Sequence, residues 1–508
     1  MNYWKEKNVK HEKPIPIFGN ILPIVLRRSS NTEEFSRIYK KFNNERYFGI
    51  YNFQDPLLLI RDPELIKKIF VKEFETFPEH RNFIAEGVDP LWSKNLFAMK
   101  GGKNWHELRS TLSPSFTTSK MKMMFSLMRD CSKQFTNYFL NKGDLVEVEL
   151  KDSFGRFAND VIATTAFGVT CDSLSNPKNE FFLLGKEFTN FTGLKGLVFL
   201  FNIFAPTLAK YIKFPIFNKE VGKFFTKLVR DSIKLRKEKG IVRPDMLHLL
   251  IEAQKGQLKD EEHDNVPETG FAVVEESEIV KPQKKHKTQI TDEIITAQVL
   301  IFFFAGFDTA STMMSYTCYE LAVNPEIQDK LREEVDETLK NSNGEITYEV
   351  ITSMKYLDMV VSETLRKWPP FIMTDRRSVK PFTIEPENPG EPTLHLEKGS
   401  MINCPVYAIQ NDPMYYPNPS KFNPERFSEE NKINIHPYTY LPFGIGPRNC
   451  IGSRFALLEG KLVVAEIISK FELVPIQKTQ IPIVLSKANF NPLPDNGIWV
   501  GFKPRNKS

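Results

Sequence analysis

The sequence predicts a mainly α domain with a small β part, on three observations. Helical periodicity runs from about residue 62 to residue 370. One helix in that stretch is unusually long: it opens at Ile290-Thr-Asp-Glu293, holds its pattern to Val323 and stops at Asn324-Pro325. After Pro369 the pattern changes to short strands and proline-rich loops, interrupted by a last helix from about Ile451 to Phe471.

Taken in order, the elements follow from local chemistry. Lys13-Pro-Ile-Pro-Ile-Phe-Gly-Asn20 reads as a stiff, extended leading segment, because proline fixes φ and restrains its predecessor. Residues 1–20 are therefore a linker, and residues 21–508 form one domain. Tyr47 to Phe53 and Leu57 to Ile60 flank Asp55-Pro56 and read as a hairpin. Gly256 to Lys287 carries acidic and basic runs with two prolines, and reads as a mobile polar insertion over about 256–290 between two helices. In the long helix Thr291 caps the start, and Asp292 and Glu293 suit the positive end of the dipole. At 1.5 Å per residue it spans on the order of 50 Å, the width of a domain. Strands return near Ile481 to Phe502.

Composition bounds the function classes. The chain has 508 residues, 41% hydrophobic and 26% charged, with a formal charge of +5. That excess is too small and dispersed for nucleic acid, though it permits a locally basic face for an acidic partner. Cys131, Cys171, Cys318, Cys404 and Cys450 are odd in number and sparse, which argues against a secreted disulfide framework. No CxxC or Cys/His cluster has zinc-site spacing. Met1 to Lys13 is polar, without an apolar run of signal or anchor length. The apolar Ile294 to Phe307 is short and runs into Asp308, so it reads as a buried helix.

Four constellations carry chemistry. In Phe443-Gly-Ile-Gly-Pro-Arg-Asn-Cys-Ile-Gly452 a glycine- and proline-bent loop precedes an amphipathic helix, and Cys450 sits where that helix begins. Helix-start amides favour a thiolate there. Gly446 and Gly452 leave space, and Arg448 can face an anion. By residue type alone, a lone cysteine beside a turn is more often a buried structural residue. Ala305-Gly-Phe-Asp-Thr309 places an acid and a hydroxyl inside an apolar helix, where Thr309 can hydrogen-bond back to the carbonyl of residue 305. Glu363-Thr-Leu-Arg366 sets opposite charges on one helix face, usually a solvated pair. Trp105-His-Glu-Leu-Arg109 sets an indole and a guanidinium one turn apart.

The Cys450 segment resembles the haem-binding signature of the cytochrome P-450 superfamily, Phe-x-x-Gly-x-Arg-x-Cys-x-Gly, and the remaining motifs follow in that family's order along nearly the whole chain. The segments Lys103 to Phe116, Asp160 to Gly168 and Arg243-Pro-Asp-Met246 resemble the insect branch related to microsomal drug-metabolising enzymes, notably the ninth cytochrome P-450 family. The resemblance implies a haem-thiolate monooxygenase with haem b between the long helix and the Cys450 loop. Cys450 would be the axial ligand, and a thiolate there favours O–O cleavage. Asp308 would relay protons to dioxygen, with Thr309 orienting the hydrogen bonds. Phe443, Gly446, Arg448, Gly452, Ala305, Trp105, Arg109 and Arg376 would contact haem, the indole and the guanidiniums at its propionates. Glu363, Arg366 and Arg426, the last from Pro424-Glu-Arg-Phe427, would brace the cysteine loop. Substrate-contact positions by the same analogy are Phe303, Phe304 and Ala305, then Phe371, Ile372 and Met373, then Asn489 and Phe490.

The implied partners are NADPH–cytochrome P-450 reductase, cytochrome b5 as a second donor, a lipophilic small molecule, O2 as co-substrate, and the cytosolic face of the endoplasmic reticulum membrane. No Rossmann fingerprint follows a strand, so NADPH acts only through the reductase. Lys100, Lys103, Lys120 and Lys122 flank the Trp105 helix and form the expected docking face. Phe191 to Phe204 reads equally as a membrane-dipping segment or a core helix pair. One departure is that such enzymes begin with an apolar anchor, whereas Tyr3 to Lys13 looks like the linker after one. Removal of the anchor, a truncated gene product or a peripheral form would each account for this. Two other classes remain: a haem-thiolate isomerase or dehydratase, which commonly lacks the acid–alcohol pair, and a haem-based sensor. NADPH consumption with substrate and reductase separates all three.

Overall fold

A computed structural model describes residues 1–82, 84, 89–189, 198, 211, 219–256, 270–274, 290–489 and 491–505. The long helix runs Asp292–Val323, with Thr291 Oγ1 accepting from the Ile294 amide at 3.2 Å. Neighbours bury it on several sides, yet it carries many hydroxyls. Ser311, Thr312, Ser315 and Thr317 return theirs to the carbonyls of Phe307, Asp308, Ser311 and Met313 at 2.6–2.9 Å, so none enters the core unpaired. Among the described residues this is the one helix long and apolar enough to cross a bilayer, and most of its apolar stretch is buried within the protein.

Helices stack on both flanks of it. Leu150–Ile162 approaches closely at Gly306, where a Cβ would lie 3.0 Å from Ile162. Ser453–Lys470, the helix after Cys450, meets it where Met313 and Met314 face Gly460. A second apolar cluster lies under a four-stranded sheet. Its hairpin pairs Tyr47–Asn52 with Asp55–Ile60, as the sequence predicts. Asp55–Ile60 then pairs in parallel with Met401–Cys404, which pairs antiparallel with Thr374–Arg377.

Three expectations need correction. The leading segment is not a free linker: Trp4 is 2% exposed, and its indole N–H donates to Ile50 O at 2.9 Å. No strand forms near Ile481; the last two strands are Phe471–Val474 and Trp499–Pro504. Pro482, Pro492 and Pro494 have no amide to offer a ladder, which keeps the intervening chain irregular. Most of the 256–290 insertion lies outside the described residues, as does Phe191 to Phe204 apart from Val198. Residues 270–274, however, dock on the body. The Phe271 amide donates to Asp358 Oδ2 at 3.0 Å, and its ring meets Phe427 and Tyr440 at 5.3 and 5.6 Å. At Gly270 (φ +144°) a Cβ would lie 2.0 Å from Asp358 Oδ1, so only glycine fits.

The Ser453–Lys470 helix buries Glu459 without a hydrogen-bond partner for Oε1. Burial pushes its carboxyl up to about 8 from a usual value of 4.5. Between those values the unfolded chain ionises while the folded one keeps its proton. Stability is therefore full below about pH 4.5 and is lost as pH rises through about 8. Glu459→Gln should flatten that slope in urea unfolding at successive pH values, recovering a few kcal/mol at the alkaline end. An unchanged slope would show that another group sets it.

Candidate active site

The Cys450 loop is built by backbone geometry. The Cys450 amide donates to Phe443 O at 2.8 Å across a 3-10 turn at Gly446–Arg448. Gly446 has φ +71°, and a Cβ there would lie 2.1 Å from Phe70 O; both facts require glycine. Gly452 faces only an ordinary contact with Phe116. Pro447, Arg448 and Asn449 are buried, yet Cys450 is accessible. Its thiol is nevertheless enclosed enough that burial raises its pKa, against the Gly452 amide and Arg109, which lower it. An accessible atom surrounded by protein faces an internal hollow. Burial thus opposes the helix-start effect expected from sequence at this thiol. Cys318 and Cys404 are fully buried, Cys171 is buried, and Cys131 is partly so.

Buried cations gather beside this loop. Arg448 donates to Pro78 O, Leu96 O, Phe97 O and Met99 O at 2.7–3.2 Å, and its guanidinium stacks 4.2 Å over Trp105. Arg376 donates to Asp375 O and Ile445 O at 2.7 and 3.0 Å, while its Nε has no acceptor. Burial holds Arg448 well below the usual arginine range, and Arg376 and Arg109 push the same way. Burial takes Arg376 down to about 10. Their hydrogen bonds go to carbonyls, and Asp375 and Glu79 offset the charge only in part, so the cluster fits a further anionic group. Arg109 reaches Asn449 O and Oδ1 at 3.0 and 2.6 Å. The Trp105 N–H goes to Leu96 O at 3.1 Å, because a fully buried indole N–H takes the nearest carbonyl. Trp105 thus also serves as a platform for the Arg448 guanidinium.

The acid and alcohol stand on the long helix. Thr309 Oγ1 donates to Ala305 O at 2.6 Å, the back-bond expected from sequence. Ala305 is exposed and Thr309 partly so, although Phe303, Phe307 and Ala310 around them are buried. A bare alanine in the middle of an interior helix marks the wall of a hollow. Asp308 pairs with Lys151 at 2.8 Å and accepts from Asn491 at 2.6 Å. Sequence reasoning missed Lys151 and Asn491, which belong to no local motif, and Asn449, which sits in the Cys450 motif but far along the chain from its partner Arg109.

The expected pocket residues separate. Phe303 is 0% exposed inside an aromatic cluster with Phe181, Phe225 and Phe307 at 5.2–5.6 Å, so it fills core. Helical spacing fixes its phase but not which neighbour covers it. Phe304 is partly exposed and meets Trp92 edge-on at 5.7 Å. Phe371 is exposed, whereas Ile372 is buried and Met373 Sδ accepts from Asn403 at 3.1 Å. Asn489 donates its amide to Ser486 Oγ at 3.1 Å, and Phe490 lies outside the described residues.

Behind the loop, Glu363 takes two bonds from Arg366 at 2.7 and 3.0 Å and one from the Asn423 amide at 2.9 Å. Both charged side chains are fully buried. Arg426 stands 3.5 Å from Glu363 and donates to Pro417 O and Asn418 O. Arg366 also reaches Gln410 O and Pro419 O. The usual solvated reading of such a pair does not hold here.

A family model described as Cytochrome P450 matches residues 9–498. The chain is 46% identical over 520 residues to "Cytochrome P450 9e2" of Blattella germanica, covering 99% of this chain and 94% of that one. It is 39% identical over 516 residues to "Probable cytochrome P450 9f2" of Drosophila melanogaster, covering 99% and 95%. It is 38% identical over 484 residues to "Cytochrome P450 6k1" of Blattella germanica, covering 95% and 89%.

Proposed function

The chain belongs to the cytochrome P450 family of haem monooxygenases, and on that premise we propose that it hydroxylates lipophilic organic compounds, foreign compounds foremost, with electrons from NADPH–cytochrome P450 reductase. The balance is substrate, O2, two electrons and two protons to hydroxylated product and water. The observation that carries the reading is an accessible Cys450 beside the buried Arg376 and Arg448, whose hydrogen bonds go to backbone carbonyls. Bound there through its propionates, haem b supplies dioxygen activation.

The chain's own residues do the rest. Cys450 would hold the haem iron through its sulfur. Arg376 and Arg448 would hold the carboxylates, with Arg109 and Trp105 fixing the loop and the Arg448 plane. Asp308, which keeps partial contact with solvent, takes up protons and passes them toward Thr309. Thr309 then directs them to one side of the hollow. Phe304 and Phe371 supply apolar wall. Thr309→Ala should keep haem and reductase-dependent NADPH oxidation but lower the fraction of electrons recovered in product by about 10- to 100-fold, with peroxide made instead. Unchanged coupling would remove Thr309 from the reaction.

The donor docks, in this reading, on the lysine face around the Lys103–Leu112 helix. Lys122 is ion-paired with Glu349 at 2.5 Å and Lys103 stands 3.7 Å from Glu107, so part of the expected charge is already answered. Added salt should slow reductase-driven turnover and leave peroxide-driven turnover nearly unchanged, since the Debye length falls to about 8 Å at physiological ionic strength. Equal salt effects on both would exclude steering. Cytochrome b5 would share that face. An endoplasmic reticulum position on the cytosolic side follows from the donor, and sedimentation with microsomes checks it.

A further inference from the structure

The carboxylate of Asp308 is held on both oxygens, by partners from opposite parts of the chain. Lys151 Nζ lies 2.8 Å from Oδ1, and it also donates to Asp308 O, Ser311 Oγ and Thr312 Oγ1 at 2.7, 2.6 and 2.9 Å. An ammonium has three N–H donors, and here four acceptors share them. Lys151 therefore anchors a stretch of the long helix more than it aims the acid. It stands at the start of the Leu150–Ile162 helix, where Glu149 caps the amides of Lys151 and Asp152 at 3.3 and 2.6 Å, so its own position is set.

Asn491 differs. Its amide nitrogen donates to Asp308 Oδ2 at 2.6 Å, and that bond goes to the acid alone. It belongs to a loop closed by the Ser486 amide on Leu493 O at 2.8 Å, within which Ser486 Oγ accepts from the amides of Ala488 and Asn489 at 3.0 and 3.1 Å. The next residue, Pro492, offers its carbonyl to the Tyr316 hydroxyl, and the Tyr316 ring stacks on Trp368 at 4.4 Å. Asn491 thus sits at the hinge between a fixed point on the long helix and the turn that carries Asn489.

We propose that Asn491, with Lys151 as anchor, is a positioning residue for Asp308, and that it makes the direction of the acid depend on the conformation of the 486–493 loop. This rests on the reading of Asp308 as the proton carrier. The acid can pass a proton toward Thr309 only after Oδ2 leaves the Asn491 amide. A compound that presses on the loop from the hollow pulls Asn491 and frees that oxygen, so proton delivery becomes tied to occupancy. Without Asn491 the carboxylate turns freely, and protons arrive whether or not a compound is bound.

The test uses the haem-loaded enzyme with reductase and ethoxycoumarin as probe. Electrons recovered in product, and peroxide formed without the probe, are measured in H2O and D2O, and hydrogen exchange is followed over residues 481–494. Asn491→Leu should raise peroxide formation in the absence of ethoxycoumarin about fivefold, the worth of one hydrogen bond, and change the solvent isotope effect of that reaction at unchanged haem content. Asn491→Asp, the same shape with a repelling charge, should do likewise and covers the case in which the leucine variant folds poorly. Lys151→Arg should retain most of the recovered fraction and Lys151→Met should not. Asp308→Ala should raise loop exchange at least about threefold, because it cuts the same tether from the other end. Wild-type isotope effects in both Asn491 variants, or unchanged loop exchange in Asp308→Ala, overturn the proposal while Asp308→Asn still impairs coupling. If Asp308→Asn itself couples normally, the proton-carrier reading falls and takes this proposal with it.

Discussion

Cys450→Ala is expected to abolish monooxygenation and to remove the absorption band that reduced, carbon monoxide-bound haem takes from a thiolate. Cys450 is the one exposed cysteine of the five; Cys171, Cys318 and Cys404 are buried and Cys131 is partly so. A methyl group cannot ligate iron as a thiolate does. Alanine at Cys131, Cys171, Cys318 or Cys404 should leave the band intact, at a stability cost of about 1 kcal/mol for the buried ones. Difference spectra of the five variants decide the matter, and a thiolate band surviving in Cys450→Ala would falsify the ligand assignment.

Glu363→Ala should be the most destabilising single change behind the loop. It strands Arg366 at full burial, leaves the Asn423 amide without its acceptor and removes the partner of Arg426. Breaking a buried pair from one side costs about 3–5 kcal/mol, whereas replacing both charges costs much less. Glu363→Ala should therefore unfold at lower urea and lose haem on purification. Glu363→Leu combined with Arg366→Met should recover much of the urea midpoint. If the single variant stays within about 1 kcal/mol of the parent, the pair is not holding this part of the fold together.

Much of this was readable from sequence wherever one local rule governed the outcome. Thr291 and Asn324-Pro325 bound the long helix because capping and proline act within a turn. The hairpin was legible too, but its turn falls at Phe53-Gln54, and Asp55-Pro56 opens the second strand. Gly446 was legible because a tight loop restricts residue types strongly, Cys450 was singled out only by the family resemblance, and Glu363 and Arg366 share a face by spacing alone. What failed depended on neighbours distant in the chain. The phase of Phe303 was visible, but not that Phe181 and Phe225 would enclose it. Nothing near Trp105 in sequence announces Leu96 O as the acceptor of its indole N–H. Lys151 and Asn491 carried no motif, and only the folded chain brings them to Asp308.

The parallel pairing of Leu58 with Ile402 also orders events during synthesis. The hairpin is among the first segments to leave the ribosome, but its inner edge has no partner until the last quarter of the chain follows. Lys7 and Tyr3 wait as long, since both bind Glu397. Leu57, Leu58, Leu59 and Ile60 are fully buried in the finished molecule, so for most of translation an apolar strand edge stands open. Closing it joins distant chain segments, which is slow and leaves nascent chains exposed to association. A chain ending before Met401 would carry an unfinished sheet, with the Leu57–Leu59 edge unpaired.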